Sequence, residues 1–397
     1  MKFEIYELPN RPQGFETVEA MADEPQPEEG TEGRDAKKAR TGSSDRVGKR
    51  KVALLLAYNG ARYQGLQKNP NAVTVEEKLE QAIHRAGGIS DDNVGTLQKV
   101  GWSRAGRTDK GVHAVGQIIS LKMMLQPEPM VERINAQLQG ESIRILGCER
   151  VTNSFCAHTS CEAREYEYLL PAYVLRAPSA SSPKDEPLQE AELTQLAGFV
   201  QQLEGTHYFH NFTDGKLRRT DKEAQRYIIA VKASNAATRG GIAWVALRYH
   251  GQSFLLHQIR KMTAVVVACM RSALPSDSIQ LGFSLPRLQT SIPLAPACAL
   301  TLRRAFFPKY ERWYGSRGSI HFDACATAQD AFMTEHVVPH ILEQEALGVF
   351  STFAAELDAY ELRPVTRELI GADENTASTT PASAVGLPSA VEPDGSS

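Results

Sequence analysis

No stretch of about 18 apolar residues occurs in this 397-residue chain, so the sequence offers no candidate membrane span. The run from Thr263 to Met270 is too short and follows Arg260-Lys261. Six cysteines, at 148, 156, 161, 269, 298 and 325, form no Cys-x-x-Cys pair. Neither a zinc ribbon nor a disulfide framework is indicated, and they read as free thiols in a reducing compartment. No apolar signal segment opens the chain, and its acidic start is wrong for a mitochondrial transit peptide. Dinucleotide and P-loop glycine motifs are missing, as is the Gly-x-Ser-x-Gly elbow of hydrolases. His158-Thr-Ser-Cys161 does not match the His-x-Glu and Pro-Cys-x-x-Cys pattern of zinc deaminases. His113, His207, His210 and His257 do not fall at metal-ligand spacings, so no metal site is expected.

What is present is an uneven charge distribution. The formal net charge of −3 hides segments of opposite sign. Residues 1–36 carry 3 basic and 10 acidic side chains, and residues 37–51 carry 7 and 1. Residues 52–315 carry 31 and 23, and residues 316–397 carry 3 and 13. A basic centre between acidic ends fits a polyanionic partner, although a surplus of this size also serves solubility.

Residues 1–50 are acidic and then basic, with few large apolar side chains, and read as a disordered tail. Lys37-Lys-Ala-Arg40 and Lys49-Arg-Lys51 have the spacing of a bipartite nuclear address. Nucleus is therefore the expected compartment, with a cytoplasmic share allowed; a basic arm on RNA phosphates is the alternative use. Met21 is an alternative start. Residues 51–162 read as a first α+β half. Val52–Tyr58 is a strand, Thr74-Val-Glu-Glu77 is a capping box opening a helix, and Thr96–Ser103 and Gln117–Lys122 are strands. Met130–Leu138 is a helix and Ile143–Val151 a strand, completing a β-α-β-β-α-β order. Residues 163–315 form a second half: strands at Ala163–Leu170, Arg226–Ala233, Ile242–Tyr249 and Leu300–Phe306, a helix over 193–203 and a long helix over Phe254–Met270. The expected fold is α+β. Two ferredoxin-like, RRM-like halves share a mixed, mostly antiparallel sheet with a central cleft. Residues 316–365 add a helical appendage held by Phe332, Val337, Ile341, Leu342 and Phe353, and 366–397 a disordered tail.

Residues 106–117, Gly-Arg-Thr-Asp-Lys-Gly-Val-His-Ala-Val-Gly-Gln, set one carboxylate in a charged turn. Asp109 is either a turn-former or a nucleophile. Arg107 and Lys110 would hold its charge, and Gly106 and Gly111 would let a substrate approach the backbone. No second Asp or Glu has comparable local logic, so a paired-carboxylate glycosidase is not supported. Gly205–Thr213 interleaves aromatic and polar residues, suited either to stacking on bases or to packing as a loop.

Gly106–Gln117 resembles the catalytic segment of the TruA superfamily of RNA pseudouridine synthases almost letter for letter. Tyr63–Asn69, Ala163–Tyr168, Gly205–Thr213 and Gly251–Lys261 also resemble its eukaryotic branch, as do Pro293–Ala297 and Phe306–Tyr310. Gly106 and His113 follow the bacterial pattern instead. The resemblance runs in order from about residue 51 to 360. It implies an isomerase that converts uridine to pseudouridine in tRNA without a cofactor. The implied targets include the anticodon stem near positions 27 and 28, with other structured RNAs as a further class. Asp109 would attack C1′ or C6, or deprotonate C2′. Tyr166 would stack on the uracil and is one choice of base, and Arg260 would pair with Asp109. Arg107, Leu255, Lys110, His113, His207, Asn211 and Phe212 are the implied substrate contacts. The protein would act as a monomer or a homodimer, off the membrane. A non-catalytic RNA-binding or chaperone protein on the same scaffold is the rival reading, and a nucleobase-modifying metalloenzyme a third.

Overall fold

The computed structural model describes residues 48–125, 129–180, 182–316 and 318–363. Residues 1–47 and 364–397, with the Lys37–Arg40 cluster and Met21, lie outside the described residues, whereas Lys49 and Arg50, expected in the disordered tail, open the first strand because they pair with Met124 and Met123. In chain order the elements are β1 (Lys49–Tyr58), α1 (Val75–Arg85), β2 (Ser103–Arg104), β3 (His113–Met124), α2 (Met130–Gln137), β4 (Ile143–Arg150) and α3 (Ala157–Ser160). These are followed by β5 (Ala163–Pro171), α4 (Glu190–Gln201), β6 (Gly205–Tyr208), β7 (Gln225–Arg239), β8 (Ile242–Gly251), α5 (Gln258–Met270), α6 (Ser278–Ser284) and β9 (Leu300–Phe306). The helices α7 (Pro308–Tyr314), α8 (Ala326–Phe332), α9 (Val338–Ala346) and α10 (Val349–Asp358) complete the series.

All nine strands join one sheet in the order β4-β1-β3-β9-β5-β8-β7-β6, with β2 also on β3. Every pairing is antiparallel except β3 with β9. The split β-α-β order appears twice: β4-β1-β3 with β2 in the first half, and β9-β5-β8-β7 in the second. The α+β expectation of two halves on one mixed sheet is what the chain adopts. The apolar run of β1 follows from burial on both faces. Val52, Leu54 and Leu56 join the large core with α1 and α2, while Ala53 and Leu55 face a smaller core with Ile118, Phe155, Phe307 and Tyr310. Lys49 and Arg50 open β1 in solvent, whereas Lys51 is buried and its Nζ donates to Gly101 O at 2.8 Å.

Several expectations are corrected. Thr96–Ser103 is a 3-10 turn over Leu97–Val100 with a two-residue strand after it, because Gly101 turns left-handed (φ 59). The strand's place beside β3 is taken by β9. Thr74 caps α1 by accepting from Glu77 N at 3.3 Å, but the neighbouring Glu76 is the carboxylate turned inward. Glu76 is fully buried and accepts from Lys68 N (2.9 Å), Trp102 Nε1 (2.7 Å), Arg104 Nε (2.6 Å) and Arg104 Nη2 (3.0 Å). It pins the segment leading into Gly106–Asp109. The long helix starts at Gln258 rather than Phe254, since His257 adopts φ 64 and leaves 254–257 as a loop. The expected C-terminal helices are present and pack on the core. Phe332, Val337, Ile341, Phe350 and Phe353 are buried in the main cluster with Leu342 packed against it, and Arg271 pairs with Asp358 at 2.5 Å.

Candidate active site

The halves meet along a narrow seam, His113↔Thr301 and Ala114↔Leu302. At Gly116 an added Cβ would lie 2.0 Å from Arg303 O, so glycine is required for this approach. A cleft of about 720 Å³ opens beside the seam. Its lining includes Arg104, Arg107, Arg164, Arg226 and Arg260, with His158 and His257, against a single carboxylate, Asp109. A second cavity of about 450 Å³ adjoins it and shares Arg107, Thr108, Asp109 and His257. Asp109 thus sits where the two cavities meet.

The loop that presents Asp109 is held from below. Thr108 Oγ1 bonds Tyr58 OH at 2.7 Å, Leu66 N donates to Thr108 O at 3.2 Å, and Gln117 Nε2 donates to Gly106 O at 2.9 Å. Val112 N closes the turn on Asp109 O at 3.2 Å, and Gly111 supplies φ 78. Arg107 and Lys110 are exposed on either side. Among the described residues Asp109 makes no ion pair with either of them, nor with Arg260. The nearest titratable group is His257, whose Nε2 lies 3.8 Å from Asp109 Oδ2.

Arg260, on the first turn of α5, donates from Nε to Ala295 O at 2.6 Å. Burial lowers its pKa, and the neighbouring Tyr168 hydroxyl and Asp109 carboxylate oppose that shift. The two groups therefore feel each other without the direct pair expected from sequence. Tyr166 on β5 is buried, its ring edge-on to Phe254 at 5.3 Å, and burial pushes its pKa above the usual phenol range. Leu255 lines the cleft, its N–H donating to Gln258 Oε1 at 2.7 Å.

Four expected contacts lie elsewhere. His113 is fully buried: Gly60 N donates to its Nδ1 at 3.0 Å, so its Nε2–H donates to Cys298 O at 2.9 Å. Burial lowers its pKa to about 4. His207 stacks on Phe283 at 4.2 Å, and Phe212 is buried in the core. Asn211 Nδ2 donates to Gly282 O and Leu285 O, both at 3.0 Å. Gly205–Thr213 instead seats α5 and α6, with buried Lys261 donating to Thr213 O and, at 2.7 Å, to Ser291 Oγ.

Two lining residues carry no site role in the sequence reading. Arg164 is buried between the walls, donating from Nε to Ala105 O at 3.0 Å, from Nη2 to the same oxygen at 2.5 Å, and from Nη1 to Gln252 O. It lies two positions before Tyr166, on the same face of β5. His257 immediately precedes α5, three positions before Arg260.

The description of a tRNA pseudouridine synthase family matches residues 199–308, a stretch that contains His257 and Arg260. The chain is 35% identical over 311 residues to the pseudouridylate synthase 1 homolog of Mus musculus, covering 75% of this chain and 71% of that protein. It is 36% identical over 309 residues to the Homo sapiens homolog, covering 74% and 69%. To tRNA pseudouridine synthase 1 of Yarrowia lipolytica it is 31% identical over 420 residues, covering 83% and 79%.

Proposed function

The chain belongs to the TruA family of tRNA pseudouridine synthases, and from that premise we propose that it isomerises uridine to pseudouridine in tRNA in the cleft around Asp109. The observation that carries this reading is the lone carboxylate of Asp109 in a lining of five arginines and two histidines. A polyanion is drawn to such a lining, and an otherwise isolated carboxylate is free to serve as nucleophile. The reaction breaks the N1–C1′ bond, turns the base and joins C5 to C1′. Substrate and product are isomers, so the balance calls for no co-reactant. The uridine leaves its stack to reach the cleft, at a cost of a few kcal/mol that backbone contacts offset.

Each lining residue takes a part in this proposal. Asp109 is the nucleophile. Tyr166 covers the uracil with its ring and excludes water. Arg260, steadied on Ala295 O, holds positive charge near the carboxylate. Leu255 packs against the base, while Arg107 and Lys110 contact the backbone of the flipped nucleotide. The anticodon stem near positions 27 and 28 is the proposed target, with other structured RNAs as further substrates. A nuclear address built on Lys37–Arg40 with exposed Lys49 and Arg50 is part of the same proposal. A tritium-release assay on tRNA carrying 5-tritiated uridine tests it. Release is expected from a tRNA with uridine at those positions, and no release from any tRNA would favour a binder over an enzyme.

A further inference from the structure

We propose that His257 is the base that removes the hydrogen from C5 of the rearranged uracil, an assignment that rests on the isomerase reading above. When Asp109 attacks C1′ or deprotonates C2′, C5 forms a bond to C1′ while still bearing its hydrogen, and C6 is doubly bonded to N1. Its loss puts the C–H pair into the C5–C6 double bond and moves the C6–N1 double-bond pair onto N1. N1 takes a proton from water, and the imidazolium returns one to water. The step balances with no other reactant.

Position is the first argument. His257 Nε2 is 3.8 Å from Asp109 Oδ2, and His257 lines both cavities that meet at that carboxylate. In the proposed reaction C5 becomes bonded to C1′, the carbon that Asp109 acts on or beside, which brings its hydrogen near the same carboxylate and within reach of a neighbouring base or of one intervening water. Backbone conformation is the second argument. A histidine at φ 64, ψ 0 holds a left-handed geometry that is uncommon outside glycine and is kept by the structure packed around it. Beyond the Asp109 contact, the ring has no hydrogen-bond partner among the described residues, so a lone pair remains available.

Electrostatics agree with the geometry. Burial lowers the His257 pKa, Asp109 and Asp214 oppose this, and Arg260 and Lys261 reinforce it. The imidazole is therefore neutral at neutral pH and able to take a proton. The rivals are less suited. Tyr166 is a phenol whose proton burial holds in place. His113 has both nitrogens engaged in the core. The released Asp109 carboxylate is the remaining competitor.

The test uses the full chain and tRNA carrying deuterium at uracil C5, under single turnover. His257→Asn tolerates left-handed backbone but cannot take the proton. The expected result is a rate lowered by roughly a hundredfold or more, tRNA affinity unchanged, and a primary isotope effect at C5 larger than in the wild type. His257→Gly, which relieves the backbone, is expected to be slow and to recover when imidazole is added. An unimpaired rate in His257→Asn overturns the assignment, as does slowing that tracks weaker tRNA binding with no larger isotope effect. Wild-type protein that releases no hydrogen from C5 defeats the isomerase reading itself; active wild type beside an unimpaired variant defeats only the choice of base.

Discussion

Replacing Glu76 by glutamine exchanges one oxygen for an NH₂ in a site that offers only donors. Oε1 accepts from Trp102 Nε1 at 2.7 Å and Arg104 Nε at 2.6 Å, and Oε2 accepts from Lys68 N at 2.9 Å and Arg104 Nη2 at 3.0 Å. In either amide orientation the NH₂ faces two donors, so two of four hydrogen bonds are lost and Arg104 loses its counter-charge. Removing one partner of a buried pair costs about 3–5 kcal/mol. Arg104 keeps 20% of its side chain in solvent, which relieves part of the penalty and brings the expected loss to about 3 kcal/mol. Urea unfolding followed by circular dichroism reads this directly, with the slope unchanged. The double variant Glu76→Leu/Arg104→Met should lose less than the two single changes together, because no charge is then left alone. A Glu76→Gln loss below about 1 kcal/mol would refute the view that this carboxylate pins the approach to the catalytic loop.

Other outcomes follow from the same geometry. Asp109→Ala should abolish tritium release while leaving folding and tRNA binding largely intact; release at the wild-type rate would remove it as nucleophile. Tyr166→Phe keeps the covering ring and should slow isomerisation by less than about tenfold, whereas near-complete loss with a large C5 isotope effect would make the phenol the base instead of His257. Arg107→Ala should weaken tRNA binding and reduce the salt-dependence slope by about one unit, measured by filter binding across salt concentrations. His113 has a folded pKa near 4 against the usual 6.5, so it binds its proton more readily when unfolded. Its contribution is complete above about pH 6.5 and is lost as pH falls toward 4, a difference of about 3 kcal/mol. Stability curves of His113→Asn should accordingly be flatter over that window than those of the wild type.

The elements legible in the sequence were those whose signal is local. Val52–Tyr58 is apolar because both faces of β1 are covered, and Thr74 announces α1 through its own side chain. Asp109, Tyr166, Arg260, Leu255 and Arg107 were found as motif residues, and all five line the cleft. What escaped depends on contacts distant in the chain. The imidazole of His113 is committed to Gly60 and Cys298, neither of which its neighbours reveal. Asn211 and Phe212 look like base-stacking partners until α6 supplies Gly282 and Phe283 against them. The start of α5 was misjudged because apolar periodicity continues through Phe254 and Leu255, while the backbone turns at His257. Arg260 was assigned to Asp109 as the obvious partner, yet a backbone carbonyl at Ala295 satisfies it.

The place of β9 in the sheet has a consequence for how the enzyme comes into being. Thr301 follows His113 by 188 residues, and only when both are present does the His113–Ala114 end of β3 gain its partner, β2 meeting β3 only at Ile119 and Ser120. At ribosomal rates of about 5–20 residues per second, the edge of β3 waits roughly 10–40 s for its neighbour. During that interval the two halves are not yet joined beside the Asp109 loop. An unpaired central strand is also a template for wrong pairing. The arrangement that joins the halves at their active centre thus completes the cleft only late in synthesis, once β9 has been made.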